Sequence, residues 1–220
     1  MEPGPQVITY LFGHESFPVT DTLLISWGVV VFLIVFARFA TRNLKMVPGK
    51  IQNVLEIFVE VVYDQIEALL PEEGWRFFPL IATLFVYVGA CNLVLLLPGV
   101  TSPSADLNTT FALAGVVFLV SHYEGMREEG VIGYLKGFGQ PVIFLFPLNF
   151  VGELAKPISH SFRLFGNILG GIIIISLVYR AIPWVFPVFL HFWFDIFVGL
   201  IQTLIFGMVA VAYISVAKNT

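Results

Sequence analysis

The segment ELAKPISHSFRLFGN, Glu153 to Asn167, holds a carboxylate, an amine, an imidazole, a guanidinium and a carboxamide, and it runs straight into the apolar stretch Ile168 to Val178. On a helix, Lys156 and Arg163 lie two turns apart and Arg163 and Asn167 one turn apart, so the three share a face. A guanidinium in hydrocarbon costs about 2.5 to 3.5 kcal/mol even on the most lenient insertion scale. It cannot shed its charge, because its pKa lies above about 12. Such a residue is retained where it faces protein or a wet cavity, and there it marks an ion pathway. The simpler alternative is a helix-end arginine that snorkels to the interface. Against that, the apolar run lies on the C-terminal side of Arg163 and the polar residues crowd its N-terminal side.

A second constellation comes from the last apolar segment. Asp195 stands one turn from His191 and two turns from Gln202, which puts three polar groups on one helix face. A carboxylate alone in an apolar segment points to ion passage. For His191, as for His160 and His122, the simpler reading is a satisfied or interfacial imidazole. Glu153 and Lys156, at i and i+3, could form a local ion pair and nothing more. Gly166 and Gly170 have the small-xxx-small spacing of helix–helix contacts; the functional alternative is room for water or for a closely approaching neighbour.

These groups are set in a chain of 220 residues that is 58% hydrophobic and only 12% charged, where a soluble chain carries about 25% charged residues. Mean hydropathy is +0.90. The expected fold is an all-α integral membrane protein: five membrane-embedded helices plus one amphipathic interfacial helix, the last two spans long and steeply inclined as a hairpin. Residues 1–21 form an outer N-terminal segment, 22–40 the first span, 51–70 the amphipathic helix, 79–97 the second span and 109–123 the third. Residues 142–180 and 184–217 form the hairpin. Within 51–70, Val54, Leu55, Phe58, Val61 and Val62 recur at helical spacing opposite Glu56, Glu60, Asp64 and Glu67. An acidic helix binds anionic lipid poorly, so it is expected along the membrane surface against other protein.

Thirty-odd residues of helix span on the order of 50 Å, more than the hydrocarbon is thick, so the last two segments must tilt or bend. Eleven basic residues set the orientation. Arg38, Arg42, Lys45, Lys50, Arg76, Arg127, Lys136 and Lys218 fall on one side, Arg180 on the other, and Lys156 and Arg163 within the membrane. By the positive-inside rule the N-terminus is outside and the C-terminus cytoplasmic. The net charge of -4 and the lack of a basic cluster exclude nucleic acid as a partner. Cys91, the single cysteine, lies in an apolar run and reads as a small buried hydrophobe. The chain begins without a positive n-region, so a cleaved signal peptide is not expected. No phosphate loop, metal-spaced cluster or nucleophile motif is present, so neither cofactor nor metal is expected and nucleotide chemistry would belong to partners. With the hairpin centred between Tyr179 and Phe186, Arg163 falls level with Gln202, and Asp195 level with Gly170 and its neighbours Gly166 and Gly171.

The run KPISHSFRLFGN closely resembles the signature of subunit a of the F-type ATP synthase, the membrane stator subunit beside the rotating c-ring. SPSADLNTT (Ser102 to Thr110) and the last helix, FDIFVGLIQTLIFGMVAVAYISVA, extend the resemblance over roughly the C-terminal two thirds. It implies that Arg163 is the essential stator charge, that Gln202 partners it, and that the two inclined helices wrap the c-ring. It also implies contact with the peripheral-stalk b subunits and the rest of the complex, in a bacterial plasma membrane. The chain is expected to act as a non-nucleotide-binding subunit, not as an enzyme alone. A rotor carboxylate within about 4 Å of Arg163 would gain roughly 4 kcal/mol at an effective dielectric near 20, so it releases its ion as it nears the arginine.

Asp195 is expected on the outer half of the ion path and Asn149, Glu153 and Ser159 on the inner half; Gln202, Asn167 and His191 are expected along the path. Lys156, Gly166, Gly170, Gly171 and Asp106 are expected in support. Many members pair an ionisable group nine residues past the arginine with one on the last helix; this chain has Ile172 there, so its outer path relies on Asp195 plus water. Whether the ion is H⁺ or Na⁺ is set largely at the rotor carboxylate, on another chain. The main rival is a secondary transporter, but no internal repeat and no matched pair of Gly/Pro-broken helices supports it. A structural anchor would leave Arg163 and Asp195 unexplained.

Overall fold

The computed structural model describes residues 6–10, 18–71, 73–97, 99–139, 143–182 and 186–218, and these are almost entirely helical. Helix α1 is Asp21–Ala40. The Thr20 side chain caps it by accepting from the Leu23 N–H, and Asp21 and Arg38 in its first and last turns complement the helix dipole. Helix α2 is Lys50–Glu67, and α3 is Gly74–Leu93, prolonged by a 3-10 turn at Val94–Leu96. Helix α4, Leu107–Gly137, is capped by Asp106 and breaks at Gly130, whose φ of 73° favours glycine. Helix α5 runs through 36 residues, Phe146–Ala181, about 54 Å at 1.5 Å per residue. The last rod is α6 (Phe186–His191), a π-helical segment (Phe192–Val198) and α7 (Gly199–Lys218) in direct succession. The turn expected near Pro183 lies outside the described residues.

Among the described residues four helices have the length and apolarity to cross a membrane: α1, α3 with its 3-10 extension, α5 and the α6–π–α7 rod. Of the five membrane helices expected, α4 is the one missing from this set. Asn108, Ser121, His122 and Glu124 dilute its apolar run, although Ala114 and Val117 are fully packed. The core lies where α2, α3, α5 and α7 meet, around Ile66, Ile81, Val88, Leu164, Phe206 and Ile214. At Gly207 an added Cβ would coincide with the Phe85 ring, so the absent side chain is what lets α7 lie against α3. By contrast α1 buries only Thr22 and Val29, as a rod solvated largely by lipid would.

Two features depart from the sequence reading. Val7–Tyr10 and Pro18–Thr20 pair as an antiparallel ribbon, Tyr10 opposite Pro18, inside the N-terminal segment of a chain expected to be all-α. The Gln6 N–H donates to Asp21 Oδ1 at 2.9 Å and fixes the ribbon to the start of α1. The second departure is the stretch 102–106, expected as an outer loop but buried among α1, α3, α4 and α5. Irregular backbone survives at such depth only where protein satisfies it. Here Thr22 donates to Asp106 Oδ2 at 2.8 Å, Ser102 to the Cys91 carbonyl at 2.7 Å, and the Thr110 and Ser161 hydroxyls bond at 3.0 Å.

At the opposite end of the bundle a charge cluster ties α3, α4 and α7 together. Arg76 reaches Glu73 at 2.9 Å and the nearly buried Glu124 at 2.5 Å, while Lys218 reaches Glu73 at 2.6 Å and Glu128 at 3.0 Å.

Candidate functional site

The N-terminal third of α5 builds one wall of a cavity of about 340 Å³. Asn149, Glu153 and Lys156 come from α5, Ser121 and Tyr134 from α4, and Tyr213 from α7. Glu153 and Lys156 form an ion pair, and the Lys156 Nζ lies 5.6 Å from the centre of the Tyr213 ring. Asn149 Nδ2 donates to the Phe138 carbonyl at 2.9 Å. Pro157, inside α5, has no N–H, so the carbonyl of Glu153 is left without its helical donor at the cavity wall. Ser159, expected beside these groups, is instead exposed and does not line the cavity. The inward stripe passes from Lys156 to His160 and skips it.

One turn beyond His160, Arg163 is exposed on the surface of α5, and no carboxylate among the described residues pairs with it. An added Cβ at Gly166 or Gly170 would meet nothing within 4 Å, so these two glycines leave bare backbone beside the guanidinium. Gly171 differs: its Cβ position lies 3.2 Å from Phe194, which makes it a helix–helix contact. The small-residue segment therefore divides, Gly171 for packing and Gly166 and Gly170 open.

Opposite, Gln202 is buried to 1% exposure and its Oε1 accepts from Asn167 Nδ2 at 2.6 Å. The register expected from sequence put Arg163 at this level; the hydrogen bond falls one turn further along α5. The π segment accounts for part of that slip. In it the Gly199 N–H reaches back five residues to the Phe194 carbonyl, where an α-helix spans four.

Asp195 lies within the π segment and is 3% exposed. Its Oδ2 is 2.5 Å from His191 Nδ1, and the His191 ring is 5.8 Å from that of Tyr179 on α5. Ile172, by contrast, packs against the apolar core. The polar groups continue inward from Asp195. Asn92 Nδ2 donates to the Gly199 carbonyl at 3.0 Å and to Thr203 Oγ1 at 3.1 Å. Asn92 Oδ1 and Gln202 Nε2 are buried without a hydrogen-bond partner among the described residues, an arrangement that favours bound water. Sequence reading missed Asn92 and Thr203. The signal for Asn92 was present, a carboxamide alone in the apolar run VGACNLVLLL, since burying one uncompensated is costly.

Asp106 sits away from both clusters and serves as a cap: besides the Thr22 bond, its Oδ1 accepts from the Asn108 N–H at 2.9 Å. Among the described residues no group of three His, Cys, Asp or Glu stands together as a metal would need.

These features define a class, the all-α multi-pass integral membrane protein with charged and buried polar groups on its membrane-length helices. Comparison with known proteins gives the family. The profile described as ATP synthase A chain matches residues 23–215. ATP synthase subunit a of Moorella thermoacetica is 36% identical over 205 residues, 93% of this chain and 94% of that relative. The sodium ion specific subunit a of Propionigenium modestum is 34% identical over 97% of this chain and 79% of its own length. Subunit a 2 of a Bradyrhizobium species is 36% identical over 100% of this chain and 98% of its own. The chain belongs to the ATP synthase A chain family.

Proposed function

We propose that this chain is the ion-translocating stator subunit of a rotary F-type ATP synthase, with Arg163 as the fixed charge that acts on the carboxylates of the c-ring. One observation carries this reading: Arg163 is exposed on a membrane-length helix, beside two glycines with open space over them. A guanidinium facing lipid alone costs several kcal/mol. Facing an acidic protein surface that moves past it, the same group is stabilised, and the bare backbone lets that surface come close.

The cavity at Asn149, Glu153 and Lys156 forms the inner half-channel, on the cytoplasmic side. Asp195 with His191 forms the outer one, continued by Gln202 and Asn167. The fixed cation repels ions that would run straight between the two, so each ion boards the rotor, rides it and leaves on the other side. Each charge moved across the membrane supplies about 2.3 kcal/mol per 100 mV. The c-ring and the peripheral-stalk b subunits are the partners, with the N-terminus outside and the C-terminus cytoplasmic.

Cysteine cross-linking in the assembled complex tests the reading. Gly170→Cys is expected to form a disulfide with a cysteine placed near the rotor carboxylate. Labelling of that cysteine by a lipid-phase maleimide, with no cross-link at any ring position, would put this face in lipid and end the proposal.

A further inference from the structure

Asn149, Glu153, Lys156, His160, Arg163 and Asn167 succeed one another at intervals of four, three, four, three and four residues, which keeps their side chains on one stripe of α5. The first three line the cavity, and the last two are exposed on the surface of the subunit. His160 is the member between them. It is 1% exposed, and its ring stacks on Phe206 at 3.9 Å. Tyr213, which lines the cavity, has its ring 5.7 Å from that of His160. Neither nitrogen of the imidazole has a hydrogen-bond partner among the described residues. A buried polar group left unmet is destabilising, because its hydration is lost with nothing in exchange. Packing does not account for accepting that cost, because phenylalanine would stack on Phe206 as well and carry no unmet nitrogen.

We propose that His160 is the last protonatable station of the inner half-channel, joined to the cavity by water past Tyr213, and that it passes protons between the cavity and the rotor surface beside Arg163. The inference rests on the stator reading above. In the direction of synthesis, the O–H bond of a protonated rotor carboxyl breaks as its proton passes to a water beside Arg163, and that water gives a proton to the ring as an N–H bond forms, leaving a carboxylate, a neutral water and an imidazolium. The imidazolium then gives a proton from its other nitrogen to cavity water and returns to neutral. Lys156 and Arg163 on α5 disfavour the imidazolium and Glu153 favours it, while Tyr213 on α7 and Tyr134 on α4 face the route as neutral phenols. The charged ring is therefore short-lived, as a relay requires. Imidazole carries H⁺ and not Na⁺, so the ion on this side is a proton.

The test uses the assembled complex in vesicles. His160→Phe keeps the stack and removes both nitrogens; ATP-driven proton pumping should fall at least tenfold, with a flattened pH profile. In His160→Ala, added imidazole should restore pumping, with a pH dependence that follows the added base. His160→Phe pumping at the parent rate and pH profile would overturn the inference and leave the stator reading intact. So would Na⁺-dependent pumping that survives a protonophore. Should His160→Phe fail to assemble, the imidazole experiment on His160→Ala decides, and absence of rescue there counts against the relay.

Discussion

Replacing Arg163 with alanine removes a side chain that is exposed and makes no ion pair among the described residues of its own chain. The subunit should therefore fold and assemble as before, and the loss should appear in function. A carboxylate about 4 Å from the guanidinium gains roughly 4 kcal/mol at an effective dielectric near 20. At about 1.4 kcal/mol per factor of ten, that is nearly a thousandfold in the ion-binding equilibrium of the rotor site. On the stator reading, a rotor site would then keep its ion as it passes, and the electrostatic barrier between the two proposed half-channels would fall by a similar free energy.

Inverted vesicles holding the complex report both effects. ATP should build no proton gradient in Arg163→Ala vesicles, and an imposed gradient should decay faster than with the parent complex. Arg163→Lys should fall between the two, since it keeps the charge but not the planar, weakly hydrated fork. A normal ATP-driven gradient with Arg163→Ala would refute the reasoning. So would loss of assembly, since it would make the guanidinium a structural group.

Asp195→Asn keeps the shape and one hydrogen bond to His191 but cannot carry a proton. Transport should slow toward a hundredfold, roughly the low end for a lost proton-transfer group, with assembly intact, and unchanged rates across pH would rule out a relay at that position. At the charged end of the bundle, the hydrogen bond from Lys218 holds the Glu73 carboxyl below its ordinary value of 4.5. A carboxyl lowered on folding stabilises the fold above 4.5, and that contribution is lost as the pH falls through its folded value. Glu73 is 31% exposed, so the gain is at most about 1 kcal/mol. The opening equilibrium of the last turn of α7, read from hydrogen exchange corrected for the intrinsic rate at each pH, should rise a few-fold as the pH drops below 4.5, and Lys218→Gln should weaken that dependence, Arg76 remaining on Glu73.

The sequence was legible where one short segment decides the outcome. Scarcity of charge marked the membrane class, and the 3.6-residue period put Lys156, Arg163 and Asn167 on one stripe without any knowledge of neighbours. The hairpin register was legible to within a turn, because counting outward from its centre assumes α-helix throughout and Phe192–Val198 is not. Pairings across long separations were not legible. Asn92 meets Thr203 from 111 residues away, and Thr22 meets Asp106 from 84. Hydrophobic patterning says that each polar group needs a partner but not which one. Ser159 and His160 show the same limit at close range. They are neighbours in sequence, yet one is exposed and the other 1% exposed; the stripe through Lys156 includes His160 and skips Ser159, and that this stripe turns inward here depends on Phe206 of α7.

Spacing along α5 argues against a continuous pore through this chain. The cavity reaches Lys156, seven residues before Arg163, or about 10 Å of helix. Asp195 is brought to the level of Gly171 by the contact of Phe194, eight residues after Arg163, or about 12 Å. The two polar systems approach the same exposed arginine from opposite ends, and between them Leu164 and Ile168 pack into the apolar core while His160, Gln202 and Thr203 stand as buried polar groups. On the stator reading proposed above, an ion arriving from either end meets a fixed cation at the surface, its favourable exit is onto an external acid passing that arginine, and rotation would follow from the offset between the two points of exchange.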